Sequence, residues 1–565
     1  MTSGKVLVLG DDTRSFLTIV RSLGRRGIIV HAAPANFRSP ALRSRYIAAI
    51  HDLPPWMGDG TEWLRAITRL LRTERYELVI PCNETMLLPL QRHRARLSQL
   101  ARLAIPDDRS IAVLFDKQKT REIAQRIGVR VAAGRLARPD DNAEQVLAEF
   151  GAPVVVKPRR SYSLQNLAAR GKVEIIREPA QLRQLLSKSD SRETVIEQFF
   201  SGQGVGVSVL ASQGRLLQAF EHHRVREIAG ASFYRRSAPI TANLFRASEA
   251  IVASLEYTGL AMFEFKWNNT GSWILLEVNA RPWGSMPLPV ALGVDFPYRW
   301  YRLLIAGEET RAVSYRTEVY GRNLLPDLRI SLMEAATRQL DPVAKAWFIV
   351  ARVGELLRFL TGREVHDVLV RDDPWPGLIE LLEIPRALRQ RVERRLPGAV
   401  ARRRRRARAQ LEALRRAGSP LRVVFVCQGN ICRSPFAEAL VRADIAAVTI
   451  VATSAGMMPQ PGRPVPALGV EAAAAHGVDL SAHHSVWLNR QMAEATSVLI
   501  VFDEIIRSAV LDRYPDLKVP IIHLGDLTEL GDIADPVDGG AAAFGQVYDQ
   551  IAIAVAKLTQ LIRRP

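Results

Sequence analysis

The chain has 565 residues, 48% hydrophobic and 24% charged, with a formal net charge of +19. This length exceeds what one hydrophobic core can organise and implies three or four domains, and the composition excludes fibrous and disordered classes. Three cysteines, Cys82, Cys427 and Cys432, are too few for a disulfide framework or a cysteine-bound zinc. No apolar run has membrane-spanning length and M-T-S-G-K leads straight into a strand, so a cytoplasmic protein is expected.

Lys5 to Asp12, K-V-L-V-L-G-D-D, predicts a buried strand ending at Gly10, then an amphipathic helix through Leu23 and a second strand, I-I-V-H-A-A. This is the β-α-β start of a doubly wound sheet. It lacks G-x-G-x-x-G, so no dinucleotide site follows. E-L-V-I-P-C, Glu77 to Cys82, is a further strand in which Cys82 reads as a small buried residue, and L-A-I-P-D-D closes the unit near residue 108. From Phe115 a second set of signals begins. F-D-K-Q-K-T opens a helix, A-P-V-V-V-K-P is a strand ending near Lys157, and T-V-I-E-Q-F-F follows at Thr194 to Phe200. Two later strands, F-E-F-K-W and L-L-E-V-N-A-R-P-W, carry inward acids thirteen residues apart, Glu264 and Glu277. With Asn279 they supply hard oxygen ligands suited to magnesium bridging phosphates, and Arg281 would face a transferring phosphoryl group.

Together these segments resemble the ATP-grasp superfamily over roughly residues 1 to 325, with a preceding α/β domain (1–110) and α+β ATP-grasp lobes (111–325). The resemblance implies that Lys117 and Lys157 contact phosphates and that Glu197, Gln198, Phe199 and Phe200 line the adenine. It also implies that Glu264, Glu277 and Asn279 hold Mg2+. Such enzymes activate a carboxylate as an acyl phosphate for attack by an amine or another nucleophile, so ATP and small carboxylates and amines are the implied ligands. The chain departs from the family in the loop after Lys157, R-R-S-Y-S-L-Q-N-L-A-A-R-G, which is poor in glycine, and in G-Q-G-V-G, Gly202 to Gly206, where an acid near the ribose is usual. Arg224, Arg226 and Arg235 read equally as a clamp for an anionic substrate and as a solvated basic face.

Residues 326 to 420 read as a helical connector. Ala346 to Leu360 is amphipathic, and its internal Arg352, Glu355 and Arg358 argue against spanning a bilayer. D-D-P-W-P-G near Asp372 is a turn. An arginine-dense helix, Ala401 to Arg416, ends at Gly418-Ser419-Pro420, and 386–416 carries most of the excess positive charge. It is expected to be a solvated linker, with weak contact to anionic membrane or a polyanion as the alternative. Lacking aromatic stacking residues, it predicts no specific nucleic-acid partner.

Val423 to Glu438, V-V-F-V-C-Q-G-N-I-C-R-S-P-F-A-E, is a buried strand, a tight loop and the start of a helix that Pro435 suits in its first turn. Successive N–H groups of the loop, supported by Gly429, Asn430, Ile431 and Cys432, make a concave anion site at a helix N-terminus, and Gly429 and Asn430 tolerate the positive φ such a curl requires. Arg433 forks onto a phosphate. Cys427 lies at the floor, where dipole and cation favour the thiolate, a nucleophile aimed at phosphorus.

C-Q-G-N-I-C-R-S-P resembles the signature loop of the low-molecular-weight protein tyrosine phosphatases, and T-S-A-G (Thr453 to Gly456), His483 and the late Asp535-Pro536 follow in that family's order. The resemblance implies that Asn430, Ser434, Ser454 and His483 hold the loop's shape, and that Asp535 protonates the leaving oxygen, then activates water. Later strands at V-T-I-V-A-T-S-A-G, S-V-L-I-V-F-D and V-P-I-I-H-L, and a final helix from Phe544 to Ile562, predict a small four-stranded parallel sheet in a domain over 421–565. Val537 and Asp538 after the Asp-Pro pair, and M-M-P-Q-P after the S-A-G segment, lack aromatic walls for a phosphotyrosine ring. Cys432 is placed to shield Cys427 as a reversible disulfide. Arsenate reductases of this fold need two further cysteines downstream, and none exists here. The chain is thus read as α/β multidomain: a phosphatase acting on a phosphoprotein or small phosphomonoester, fused to an ATP-grasp ligase. Two alternatives stand beside this, the ligase as main activity or the ATP-grasp half as a nucleotide-sensing module.

Overall fold

A computed structural model describes residues 4–165, 167, 171–188, 191–228, 230–268, 270–337, 342–355, 357–382, 397–416, 420–444, 450–458, 460–537 and 539–563. They form two compact units, Met1–Pro34 with Ser39–Leu53 and Leu64–Leu381, and Ala35–Arg38 with Pro54–Trp63 and Leu382–Pro565.

The first unit opens with strands β1 (Lys5–Leu9), β2 (Ile29–Ala33), β3 (Ile47–Ile50), β4 (Leu78–Pro81) and β5 (Arg102–Leu103), paired in parallel in the order β3-β2-β1-β4-β5. An antiparallel lobe follows, from β6 (Gly134–Leu136), β7 (Val154–Pro158), β8 (Glu174–Ile176) and β9 (Thr194–Gln198), in the order β6-β9-β7-β8. The largest sheet contains β10 (Gln203–Ser212), β11 (Arg215–Ile228), β12 (Ala231–Ala238), β13 (Gly259–Trp267), β14 (Trp273–Asn279), β15 (Tyr320–Arg322) and β16 (Glu364–His366). Its order is β14-β13-β10-β11-β12-β15-β16.

The division expected at residue 110 is not marked by separate cores. Val6 and Val8 of β1 share one apolar cluster with Leu210, Phe220, Leu260 and Trp283 of the later chain. The boundary expected at 326 is likewise corrected. Residues 326–381 belong to the first unit, and within them β16 joins the large sheet parallel to β15. Buried ion pairs fix this arrangement. Arg235 forks onto Asp367 at 2.9 and 2.6 Å, Arg226 onto Asp327 at 2.7 Å twice, and Arg322 onto Glu364 at 2.6 and 2.8 Å. Arg224, Arg226 and Arg235 are therefore not a solvated basic face, since all three are buried. A guanidinium left unpaired at such a depth would be strongly destabilising.

In the second unit β17 (Leu421–Cys427), β18 (Ile450–Gly456), β19 (Val498–Val501) and β20 (Ile521–His523) form the expected parallel sheet, in the order β18-β17-β19-β20. The run V-V-F-V is buried on both faces because each face has its own apolar layer. Val423 and Phe425 pack with Phe436 and Tyr548 on one side, and Val424 and Val426 with Leu499 and Tyr514 on the other. The arginine-rich helix Pro397–Arg416 is no solvated linker. Ala407 and Leu411, 6% and 1% exposed, enter the core of this unit, and the helix packs against Ala541–Arg563. The rest of the segment expected to carry the surplus charge, 386–396, lies outside the described residues, as do Gly418 and Ser419. Among the described residues no helix is long and apolar enough to cross a membrane.

Two outcomes follow for the second unit. Leu411→Ala should destabilise it by about 2–5 kcal/mol, whereas Arg405→Ala on the exposed side should change it by less than about 0.5 kcal/mol, read by denaturant unfolding. Burial pulls His523 down, but hydrogen bonds to Asp532 and Glu504 and the charge of Asp526 outweigh it and raise the imidazole from 6.5 to about 9. Its stabilisation is therefore complete below pH 6.5 and lost as pH rises through about 9. His523→Gln should remove that part of the pH dependence of the unfolding midpoint.

Candidate active sites

β17 delivers Cys427 to the carboxyl end of the sheet, directly across the ladder from Gly456. The loop then turns back over the sulfur. The Asn430 N–H donates to Cys427 Sγ at 3.2 Å, and Ser434 Oγ lies 3.0 Å from it. Of the two residues expected to take a positive φ in this curl, Asn430 does, at +53°, and Gly429 does not. The conformation is braced from every side. Asn430 Nδ2 donates to Ser434 Oγ and Ser454 Oγ at 2.9 and 2.8 Å, Val486 N donates to Asn430 Oδ1 at 2.7 Å, and His483 Nε2 meets the Asn430 carbonyl at 2.9 Å. Arg463 Nη2 donates to the Gly429 carbonyl at 2.7 Å. A Cβ at Gly456 would stand 2.9–3.1 Å from backbone and side-chain atoms of Gly429 and Asn430, so only glycine lets the loop lie this close.

Arg433 opens the helix Arg433–Ala443 and is 1% exposed. Its Nη1 donates to Asp503 at 2.6 Å and to the Ile533 carbonyl at 2.9 Å, and its Nη2 donates to Asp535 at 2.5 Å. Its Nε is buried and has no hydrogen-bond partner among the described residues. Burial lowers the guanidinium pKa, but Cys427, Asp535 and Asp503 together raise it. Burial pushes the Cys432 thiol up to about 12, with Asp535 and Cys427 adding to the effect. Cys432 is thus a thiol held at the head of the helix, its carbonyl accepting from Tyr548 at 3.2 Å. Ile431 is half-buried beside it.

In the first unit a row of residues crosses four strands in register, Glu277 on β14, Glu264 on β13, Gly206 on β10 and His222 on β11. Asn279 Nδ2 donates to Glu264 at 3.0 Å and to Glu277 at 3.3 Å. Arg224 Nη2 pairs with Glu264 at 2.5 Å. Burial raises the Glu264 carboxyl; Arg224 opposes this and Glu277 reinforces it. Two carboxylates held on one amide, one of them raised, form a donor set that suits a hard divalent cation. Arg281 Nη2 donates to Asn279 Oδ1 at 2.9 Å and to Glu84 at 3.2 Å. Lys117, donating to Ser161 Oγ at 2.9 Å, lines a small cavity with Glu84, Glu277 and Asn279. Lys157 pairs instead with Glu197 at 2.6 Å, whose other oxygen takes Arg121 at 2.8 Å. Gln198 is exposed, and Phe199 and Phe200 are half-buried beyond β9. The glycines that replace the usual ribose acid have a local reason. A Cβ at Gly206 would lie 2.2 Å from His222, and one at Gly204 2.6 Å from Arg224, so β10 is cleared for these side chains to lie across it.

Residues 422–565 match the family model described as low molecular weight phosphotyrosine protein phosphatase. Over 129 residues the chain is 33% identical to the probable low molecular weight protein-tyrosine-phosphatase EpsP of Ralstonia nicotianae, a match covering 23% of this chain and 87% of that one. The chain belongs to the low molecular weight phosphotyrosine protein phosphatases. Residues 190–323 match a second model, described as ATP-grasp in the biosynthetic pathway with Ter operon. A stretch of 189 residues is 27% identical to the carbamoyl phosphate synthase arginine-specific large chain of Bacillus subtilis, over 32% of this chain and 18% of that one. Among solved structures, an ADP complex of purK, N5-carboxyaminoimidazole ribonucleotide synthetase, covers 60% of this chain and 87% of its own at 16% identity and a TM-score of 0.46.

The phosphatase domain gathers every residue expected of its loop, Cys427 to Ser434, with Ser454, His483 and Asp535 around it. Sequence reasoning missed Asp503, although an acid closing S-V-L-I-V-F-D, on the strand beside the nucleophile strand, was a usable signal. It also missed Arg463, which no motif marks. In the ATP-grasp half it missed Arg121, Glu84 and His222. Val537 after the Asp-Pro pair is exposed, while Asp538 lies outside the described residues, as do 166 and 168–170 in the loop after Lys157.

Gly456→Ala should displace the loop backbone. The expected result is a fall of about 10–100-fold in kcat on p-nitrophenyl phosphate, with an unfolding midpoint close to wild type.

Proposed function

We propose that the phosphatase domain hydrolyses phosphotyrosine and similar aryl phosphomonoesters through a cysteinyl-phosphate. The observation that carries this is the convergence of the Cys427 sulfur, the Asn430 N–H and the buried Arg433 at the head of one helix. A phosphate dianion entering the loop would take its oxygens to the loop N–H groups and to Arg433, displacing Asp535 from the guanidinium it now holds at 2.5 Å. Cys427 Sγ attacks phosphorus in line. The S–P bond forms as the ester P–O bond breaks, and Asp535, which takes up a proton once it has left Arg433, gives that proton to the leaving oxygen. Asp535 then removes a proton from water, whose oxygen attacks phosphorus and releases the thiolate and inorganic phosphate. Without aromatic walls from the Asp535–Val537 or Met457–Met458 segments, selection rests on the reacting group rather than on a stacked tyrosine ring.

For the ATP-grasp half we propose ATP binding between the Lys117 and Lys157 side chains, with the Glu197–Phe200 segment toward the adenine. Glu264, Glu277 and Asn279 would hold Mg2+, which when bound neutralises charge between the phosphates. Arg281 would face the phosphoryl group in transit, and the reaction class would be activation of a small carboxylate for attack by an amine. The chain would thus be bifunctional. The cytoplasm suits it, because the nucleophile must stay reduced and all three cysteines are unpaired.

Cys427→Ser should abolish p-nitrophenyl phosphate turnover, and Asp535→Ala should lower kcat by about 10²–10⁴-fold, less for leaving groups of low pKa. Full turnover in Cys427→Ser would end the phosphatase reading. Glu277→Ala should abolish carboxylate-dependent ADP release while sparing p-nitrophenyl phosphate hydrolysis.

A further inference from the structure

The arginine-rich helix Pro397–Arg416 lies outside the residues matched by the phosphatase family model, 422–565, yet it walls a cavity on that domain. The cavity encloses about 830 Å3, within the ordinary range of small-molecule sites. Helix residues Arg402, Arg403, Arg406 and Ala407 form one wall. The opposite wall comes from the helix Glu504–Arg513 and the segment Leu517–His523, and Asp526 and Asp532 close the end.

The charges here do not balance. Glu504 is answered by Arg507 at 3.2 Å and by His523 at 3.1 Å, Asp532 by His523 at 3.5 Å, and Asp526 by Arg403 at 3.5 Å. Arg402, Arg406 and Lys518 are left over; among the described residues no carboxylate pairs with them. Arg402 and Arg406 stand one turn apart on the helix, with Lys518 among the residues across the cavity. Two guanidinium forks and an ammonium around one cavity favour a ligand bearing more than one phosphate-like charge. The intervening lining is different. Ala407, Leu511, Val519, Pro520 and Ile521 offer apolar surface, which suits a ring or hydrocarbon portion.

We propose that this cavity is a second anion site, taking a phosphorylated small molecule with its charges on Arg402, Arg406 and Lys518 and its apolar portion against the Leu511–Val519–Ile521 side. It rests on the position of the helix, not on the phosphatase reading. It also touches the catalytic loop through the chain. Glu504 follows Asp503, which holds Arg433, and Asp532 precedes Ile533, whose carbonyl accepts from Arg433 at 2.9 Å. Occupancy should therefore alter phosphatase kinetics as well as bind ligand.

The test uses the full chain and two charge reversals of equal size on the same helix. One is Arg402→Glu/Arg406→Glu in the cavity; the other is Arg405→Glu/Arg408→Glu on exposed positions outside it. Tripolyphosphate and ADP are titrated calorimetrically at 150 mM salt, with orthovanadate saturating the Cys427 loop and without magnesium. One binding event should weaken at least tenfold in the cavity reversal and in Lys518→Glu, and change less than twofold in the outer reversal. Addition of the probe should shift KM or kcat for p-nitrophenyl phosphate in wild type and in the outer reversal only. Matching unfolding midpoints and matching turnover without probe establish that the variants fold. Equal losses in both reversals, or binding confined to duplex DNA or phosphatidylglycerol vesicles, would overturn the proposal, because either outcome describes a merely basic surface.

Discussion

Arg433 is a guanidinium almost wholly removed from water, and its position makes sense only through the anions around it. A buried charge of this kind is tolerated when it is paired and hydrogen-bonded. Here Asp503, Asp535 and the Ile533 carbonyl take its donors, and the two carboxylates answer its charge. These partners come from separate segments, so the arginine ties the end of β19, the segment before the last helix and the nucleophile loop into one geometry. The two acids are not equivalent. Asp503 also caps its helix, accepting from Ile506 N at 2.8 Å, and its side chain is 16% exposed. Asp535 is 34% exposed and accepts from Val537 N at a longer 3.3 Å. Asp503 is thus the more tightly held of the two acids, and Asp535 the more open to solvent.

The large sheet of the first unit solves a related problem over a wider span. Arg226, Arg235 and Arg322 each end in a carboxylate fork, and those forks join β11, β12 and β15 to residues between 327 and 367. Replacing a buried pair by apolar residues is often harmless to stability, but breaking one partner is not. Such pairs act as alignment devices, allowing three-residue strands such as β15 and β16 to hold their register at the sheet edge. The same sheet presents Glu264 and Glu277 side by side on a face that Gly204 and Gly206 keep open.

What the sequence made legible was local. The strand, loop and helix around Cys427 are consecutive, so residue order alone announced the anion site, and the late S-A-G, histidine and Asp-Pro segments completed it. The acid pair at 264 and 277 was readable for the same reason, because adjacent antiparallel strands keep their spacing close in sequence. Misread elements depended on distant partners. Arg226 and Arg235 read equally as an anion clamp or a basic face, and not as buried ion pairs, because Asp327 and Asp367 lie 101 and 132 residues away. The arginine-rich helix looked solvated because its charge density hid a narrow apolar stripe, Ala407, Leu411 and Leu414, at helical spacing. Asp503 was missed because the strand that carries it pairs with the nucleophile strand about seventy residues after it.

The two sites share one physical arrangement. In each, an internal ion pair occupies part of the region a ligand would claim, Arg433 with Asp535 in the phosphatase domain and Arg224 with Glu264 in the ATP-grasp half. Ligand binding at either site therefore exchanges one charge-assisted contact for another instead of adding a contact where none stood. The net gain would therefore be smaller than the new contact alone. What remains is selectivity for geometry. On the proposed reading, a phosphate would have to match the loop N–H groups as well as Arg433, and a cation would have to satisfy both carboxylates as well as replace Arg224. An ion meeting only one of these demands recovers less than the pair it breaks. The two salt bridges thus balance charge within each cluster and set what a ligand would have to offer to displace them.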